Sequence, residues 1–368
     1  MHSEDIRNFL RRIVAPIDRV LFVLLCLLFA YAFIVQLSAS NDSPARINSH
    51  IMHLGIAVGV MWAIASVPVQ RLMSLAVPLY VLGILLIVAT ALFGEVSKGA
   101  RRWLDLGVMR VQPSEIMKIA MPMMLAWFFH QREESLRMVD YLIAALLLLI
   151  PVAIIAKQPD LGTAILVFAA GFFVIFFAGL PWKIIFGLIS AAAAAAPFAW
   201  SLMHDYQRQR ILTLIDPEAD PLGKGFHIIQ STIAVGSGGV LGKGWFNGTQ
   251  AHLEFLPERH TDFVLAVLSE EFGLIGIAVL IVLYALLIGR GMMIAGSAPS
   301  VFARLLAGSI TMSFFTYAFV NMGMVTGILP VVGVPLPFIS YGGTALVTLS
   351  LAVGILMSVQ RGRQFART

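Results

Sequence analysis

The sequence predicts an all-α integral membrane protein with ten transmembrane helices, and three observations carry that prediction. The first is composition. Of 368 residues, 59% are hydrophobic and 12% charged, with a mean hydropathy of +0.89. A soluble domain carries about 25% charged residues, so the solvent this chain matches is a bilayer. The second is the recurrence of apolar spans of about 20 residues, the length of helix that crosses a hydrocarbon core. The third is the gathering of basic residues in alternate short loops.

The spans fall near 17–39, 49–67, 72–93, 114–130, 139–156, 161–180, 183–203, 262–289, 301–327 and 343–360. The first follows a polar, Arg-bearing segment and lacks an A-x-A-like cleavage site, so it reads as a helix that stays rather than a secretory signal. Pro122 and Pro151 lie inside spans and predict kinks, which membrane helices tolerate when neighbours satisfy the freed carbonyls. Cys26 is the single cysteine. It allows no intramolecular disulfide, and with no His-x-Glu or Cys-x-x-Cys spacing a structural zinc site is not expected. The segment 328–341 (ILPVVGVPLPFISY) is apolar but broken by Pro330, Pro335 and Pro337. It predicts a re-entrant segment before the tenth helix, lining a cavity or buried in protein.

With ten spans, Arg7, Arg11, Arg12, Arg71, Arg132, Arg137, Lys183, Arg290, Arg304, Arg361, Arg363 and Arg367 fall on one side. The positive-inside rule makes that side cytoplasmic, together with both termini. The other side breaks the pattern. Lys98, Arg101, Arg102 and Arg110 crowd one outer loop, and Arg208, Arg210, Lys224, Lys243 and Arg259 occupy the extracytoplasmic loop 204–261. Basic residues kept on the translocated side suit an anionic ligand. Pairing with Asp105, Asp205, Asp216, Glu218 and Asp220 is the bland explanation. The loop 204–261 is the only long polar interval, and long loops are functional or disordered. Its recurring Ile, Leu, Phe and Trp argue against disorder, so it is the expected active surface.

Asp262, in PERHTD at the outer end of the eighth span, reads as a general base or metal ligand, or as a helix cap together with Thr261. Glu115 and Lys118 stand at i, i+3 on one helix face and can pair, although Lys118 is near enough the interface to snorkel. Asp160, in KQPDLGT, caps the sixth span. Trp103, beside two arginines, is an interfacial anchor or a support for a sugar or pyrophosphate. Glu270 and Glu271 lie about 12 Å further along the eighth helix and need partners inside the bundle. The run Gly236, Gly238, Gly239, Gly242, Gly244 fails the phosphate-loop spacing and reads as tight turns. Ser114 and Lys118 are four apart, so the S-x-x-K motif of acyl enzymes is absent.

KGARRWLDLG, VQPSEIMKIA, KQPDLGTAIL, DPEADPLGKGFHIIQS, AVGSGGVLGKG, FLPERHTDF and GILPVVGVPLPFISYGG, in that order, resemble the SEDS family (shape, elongation, division, sporulation). The resemblance covers nearly all the chain from the third span onward. HDYQRQR, LGKGWFNGTQ and PERHTDF are similar to its elongation branch more than to its division branch.

The resemblance implies a ten-helix peptidoglycan glycosyltransferase that polymerises lipid II at the outer face of the cytoplasmic (inner) membrane, its active site facing the periplasm. It implies Asp262 as the catalytic carboxylate, Trp103 as functionally important, and Glu115, Lys118 and Asp160 as motif residues of the site. It also implies a growing polyprenyl-linked glycan as second substrate, a class B penicillin-binding protein as partner among other elongation-complex proteins, and no nucleic acid. A divalent cation, Mg or Mn, is implied without ligands. Arg101, Arg102, Arg210 and Lys243 are the expected pyrophosphate contacts, since fixed positive charge stabilises phosphoryl oxygens. Two rivals remain. A lipid II flippase would place its polar machinery near the midplane, and a non-enzymatic scaffold would leave Asp262, Trp103 and the basic outer loops together unexplained.

Overall fold

The structure is a computed structural model that describes residues 15–40, 43–97, 100–105, 110–203, 205–219, 223–252, 256 and 258–365. Expectations on Arg7, Arg11, Arg12, Lys98, Asp220 and Arg367 fall outside the described residues.

A helix occupies each of the ten apolar stretches: α1 (Arg19–Ala39), α2 (Pro44–Ala65), α3 (Val69–Phe93), α4 (Pro113–His130), α5 (Met138–Lys157), α6 (Leu161–Phe177) and α7 (Trp182–Leu202) before the long connector. Within the connector come α8 (Asp205–Ile215), α9 (Lys224–Ser237) and the single turn α10 (Thr249–His252), and after it α11 (Val264–Gly296), α12 (Val301–Val325) and α13 (Gly343–Phe365). Among the described residues, seven are long and apolar enough to cross a membrane, while the apolar stretches Leu161–Phe177 and Trp182–Phe198 are shorter. Pro113–His130 is not among the seven because it carries Glu115 and Lys118 into the bundle. Both α4 and α5 continue through Pro122 and Pro151.

The chain is mostly helical, as expected, with one small addition. Between α3 and α4 the chain forms a three-stranded antiparallel ribbon, β1 (Glu95–Ser97), β2 (Ala100–Asp105) and β3 (Arg110–Val111). β1 and β3 have three and two residues, and β2 (ARRWLD) does not alternate apolar with polar, so no period-2 signal announces them. The connector, in turn, is largely helical, and Ile228, Ser231 and Ala234 of α9 are buried.

The core is built around α12, which packs on α4, α6 and α11, while α2 lies along α13 and α3 along α4. Phe302, Leu306, Ile310, Phe314 and Met324 of α12 are all but fully enclosed. The outer faces are apolar instead of polar: Leu85, Leu92, Leu142, Phe186, Leu274 and Val282 are exposed. In water such a surface would be an aggregation patch; in lipid it needs no partner.

Arg19, Arg290 and Arg361 lie together at one end of the bundle, its basic end. Asp18 accepts from Leu21 N (3.0 Å) to cap α1 and from Arg290 Nη2 (2.5 Å), and this pair lines a polar pocket with Arg19 and Arg361. At the opposite end, residues 328–341 turn back into the protein without regular structure. Val334, Leu336, Phe338 and Ile339 are buried, and Tyr284 Oη donates to Pro337 O (2.6 Å). Gly162 is required there, because a Cβ on it would fall 2.5 Å from Val332 O.

Candidate active site

The turn that carries Asp262 is fastened through three consecutive carbonyls. His260 O accepts from Gln36 Nε2 (3.0 Å) and Tyr341 N (2.8 Å), Thr261 O from Ser340 Oγ (2.6 Å), and Asp262 O from Asn321 Nδ2 (2.9 Å). The donors come from α1, α12 and the far end of the 328–341 segment. Gln36 and Asn321 each bind that segment as well, at Ile339 O (2.8 Å) and Val334 O (2.7 Å). Buried carbonyls demand donors, and here the donors hold an irregular turn in one conformation. The half-buried Asp262 carboxylate lies against Gly333, where a Cβ would stand 3.3 Å from Oδ2. With φ +73, Gly333 is held in the left-handed region that glycine favours.

The cap role considered for Thr261 or Asp262 is not what the structure has. The N-cap of α11 is Phe263, with no side-chain cap bond, and Thr261 Oγ1 turns back to Glu258 O and Oε2 (both 3.1 Å).

A second polar group sits where α4 and α6 begin. Lys118 Nζ donates to Glu115 Oε1 (2.6 Å) and stands 5.2 Å from the centre of the Tyr317 ring, with side chains only 7% and 13% exposed for Lys118 and Glu115. Snorkelling is therefore excluded for Lys118; its charge is balanced inside the bundle. Asp160 caps α6 through Thr163 N (3.3 Å) and accepts from Gln112 Nε2 (3.3 Å). Arg102 Nε lies 3.9 Å from Asp160 Oδ2, while its Nη2 donates to Pro159 O (2.6 Å). Arg102 thus docks the β-ribbon onto the start of α6, and Trp103 follows it in β2, half-buried and paired in register with Glu95.

The remaining expected contacts divide. Arg210 is half-buried on α8, and the side chain of Arg101 lies outside the described residues. Lys243 is engaged within the protein: its Nζ is 2.7 Å from Glu270 Oε1, a fully buried carboxylate. A cation that neutralises a buried anion is not available to a phosphate without stranding that anion.

Sequence reasoning missed Gln36, Asn321, Ser340 and Tyr341. The signal for the first two was present, since an amide inside a membrane helix must find partners. Their targets, backbone carbonyls of the turn, had no signature. Among the described residues, no three His, Cys, Asp or Glu side chains converge.

Fold and site together define a polytopic membrane protein with its polar machinery at one end of the bundle, opposite the basic end. A family model described as "Cell cycle protein", for the FtsW, RodA and SpoVE proteins, matches residues 17–364, and the chain belongs to this family. It is 49% identical over 349 residues to the peptidoglycan glycosyltransferase MrdB of Escherichia coli (strain K12), covering 95% of this chain and 94% of that protein. It is similar to a chain solved in work on structural coordination of polymerization and crosslinking by a peptidoglycan synthase complex: TM-score 0.81, 35% identity, 94% of this chain and 98% of that one. The crystal structure of Thermus thermophilus rod shape determining protein RodA matches with TM-score 0.72 and 29% identity over 94% of this chain and 97% of that one.

Proposed function

We propose that the chain is a peptidoglycan glycosyltransferase that polymerises lipid II into glycan strands during cell elongation, with Asp262 as general base. The observation that carries the reading is the fixed Asp262 turn at the outer end of the bundle, in a family whose relatives bear that activity in their names. The reaction is an inverting displacement. A hydroxyl of the acceptor sugar attacks the anomeric carbon of the donor glycan, its proton passes to the Asp262 carboxylate, and the bond to polyprenyl pyrophosphate breaks with the electron pair on the leaving oxygen. Arg101, Arg102 and Arg210 are the cations proposed for the pyrophosphate, with Arg102 shared with Asp160. Trp103 supports a sugar or the pyrophosphate beside them, and Glu115, Lys118 and Asp160 hold the site's framework.

The basic end of the bundle is the cytoplasmic one by the positive-inside rule, so both termini face the cytoplasm and Asp262 faces the periplasm. A ten-crossing topology follows from the ten helices, with 204–261 outside. The partner is a class B penicillin-binding protein, a reading supported by the similarity to a chain from a synthase that couples polymerization to crosslinking. Transport is the weaker reading because the turn lies at one end of the bundle, away from the midplane where transporters bind.

The test is incubation of the purified protein and its transpeptidase partner with labelled lipid II. Muramidase-sensitive glycan strands are expected. Flipping of lipid II in proteoliposomes without strands would replace the enzyme by a transporter. Asn321→Ala tests the turn itself. It strands the Asp262 and Val334 carbonyls at about 1–3 kcal/mol each. If even part of that loss falls on the position of the base, polymerisation drops by about 10- to 100-fold, measured as strand length and initial rate.

A further inference from the structure

The glycine run and the two glutamates of α11, which the mechanism above does not use, meet in one place. α11 is not a single rod. Gly273 has φ 62° and ψ −158°, which divides it into an outer segment, 264–272, and the membrane segment that follows. A break of this kind frees carbonyls at the end of one segment and N–H groups at the start of the next. The loop 238–244 pairs with two of each. Lys243 N donates to Glu270 O (2.9 Å) and Gly244 N to Glu271 O (3.0 Å), while Leu274 N donates to Gly239 O (3.0 Å) and Ile275 N to Val240 O (3.2 Å).

The fit is backbone to backbone, which explains glycine at Gly238 and Gly242. A Cβ would fall 1.9 Å from Ser269 O at the first and 2.1 Å from Glu271 O at the second, where φ is also +80°. Side chains close the contact. Glu270 receives Lys243 Nζ (2.7 Å), Thr249 Oγ1 (3.0 Å) and Gln250 N (3.1 Å), and Glu271 receives Ser38 Oγ from α1.

We propose that the loop 238–244 is a plug that, with the Lys243–Glu270 pair, sets the position of Asp262. The proposal rests on the transferase reading. The outer segment is buried along residues 264–271 and joins Asp262 directly through Phe263. It is held at its beginning by the carbonyl contacts of the 260–262 turn and at its end by the plug. A tilt of this short segment moves the base, and a displacement of about 1 Å at a reacting group lowers rate about 100-fold. Glu270 and Lys243 are thus positioning residues, about 12 Å along the helix from the carboxylate they serve.

The experiment compares lipid II polymerisation by the full chain carrying Glu270→Gln, Gly242→Ala, Lys243→Met or Lys243→Arg, with hydrogen exchange on each. The first three are expected to lower kcat by about 10- to 100-fold while KM stays within about threefold. Lys243→Arg recovers most of what Lys243→Met loses. Amides 264–272 exchange faster in the first three while those of α4 and α12 keep their protection, which separates loss of position from loss of fold. Wild-type kcat in Glu270→Gln and Gly242→Ala overturns the proposal. So does a raised KM confined to Lys243→Met, which assigns that ammonium to substrate. If the wild type makes no strands, the transferase reading fails; exchange then decides for the plug alone, with unchanged protection at 264–272 refuting it.

Discussion

Asp262→Asn is expected to abolish glycan strand formation while leaving the protein folded. The amide keeps the size of the side chain and its seat against Gly333, and the three carbonyl contacts of the turn do not involve it. What it loses is the capacity to take a proton. General base catalysis contributes about 10²- to 10⁴-fold, so the residual rate is expected at a hundredth of wild type or below. The check is the initial rate of strand formation alongside the thermal unfolding midpoint. A lowered rate with a lowered midpoint would point to a structural role; a lowered rate at a constant midpoint is the expected pattern.

Lys118→Met produces the largest expected loss of stability. Lys118 and Glu115 are both enclosed, and the ammonium is the partner 2.6 Å from Glu115 Oε1. Removing one member of a buried pair costs about 3–5 kcal/mol, because the remaining charge is left without compensation. Replacing both members by residues of similar volume is far milder. The double variant Glu115→Gln/Lys118→Met is therefore expected to unfold at a temperature well above that of Lys118→Met alone. Thermal unfolding of the two in the same detergent decides it. A single variant as stable as the wild type would show that lipid or water reaches this pair.

The spans were legible because a bilayer imposes a long, uninterrupted apolar run on each crossing helix. The irregular 328–341 segment was legible for the opposite reason: three prolines forbid a helix, and lipid forbids an exposed backbone. The pairing of Glu115 with Lys118 followed from helical spacing alone. What stayed hidden depended on contacts distant in sequence. Glu270 meets Lys243 across a loop, and Gln36 reaches a turn 224 residues away. The glycines at 238 and 242 were read as turns, and Gly242 N does donate to Gly238 O (2.9 Å); that their small size also fits the backbone of a broken helix had no signature. Lys243 looked like a free outer cation because nothing in its neighbourhood announces that Glu270 will be buried beside it. The β-ribbon escaped since β1 and β3 have three and two residues, and the six of β2, ARRWLD, do not alternate apolar with polar.

On the proposed mechanism, the Asp262 carboxylate at the outer end of the bundle performs the chemistry and is not needed to hold the lipid-linked substrate. The most direct measurement takes purified wild type and Asp262→Asn, each with the transpeptidase partner bound, and follows both lipid II binding and strand formation. Equal binding within about threefold is expected, with strands from the wild type alone, since a residue acting only in the transition state changes kcat and not affinity. Strands from both proteins at comparable rates would contradict it and remove Asp262 from the mechanism.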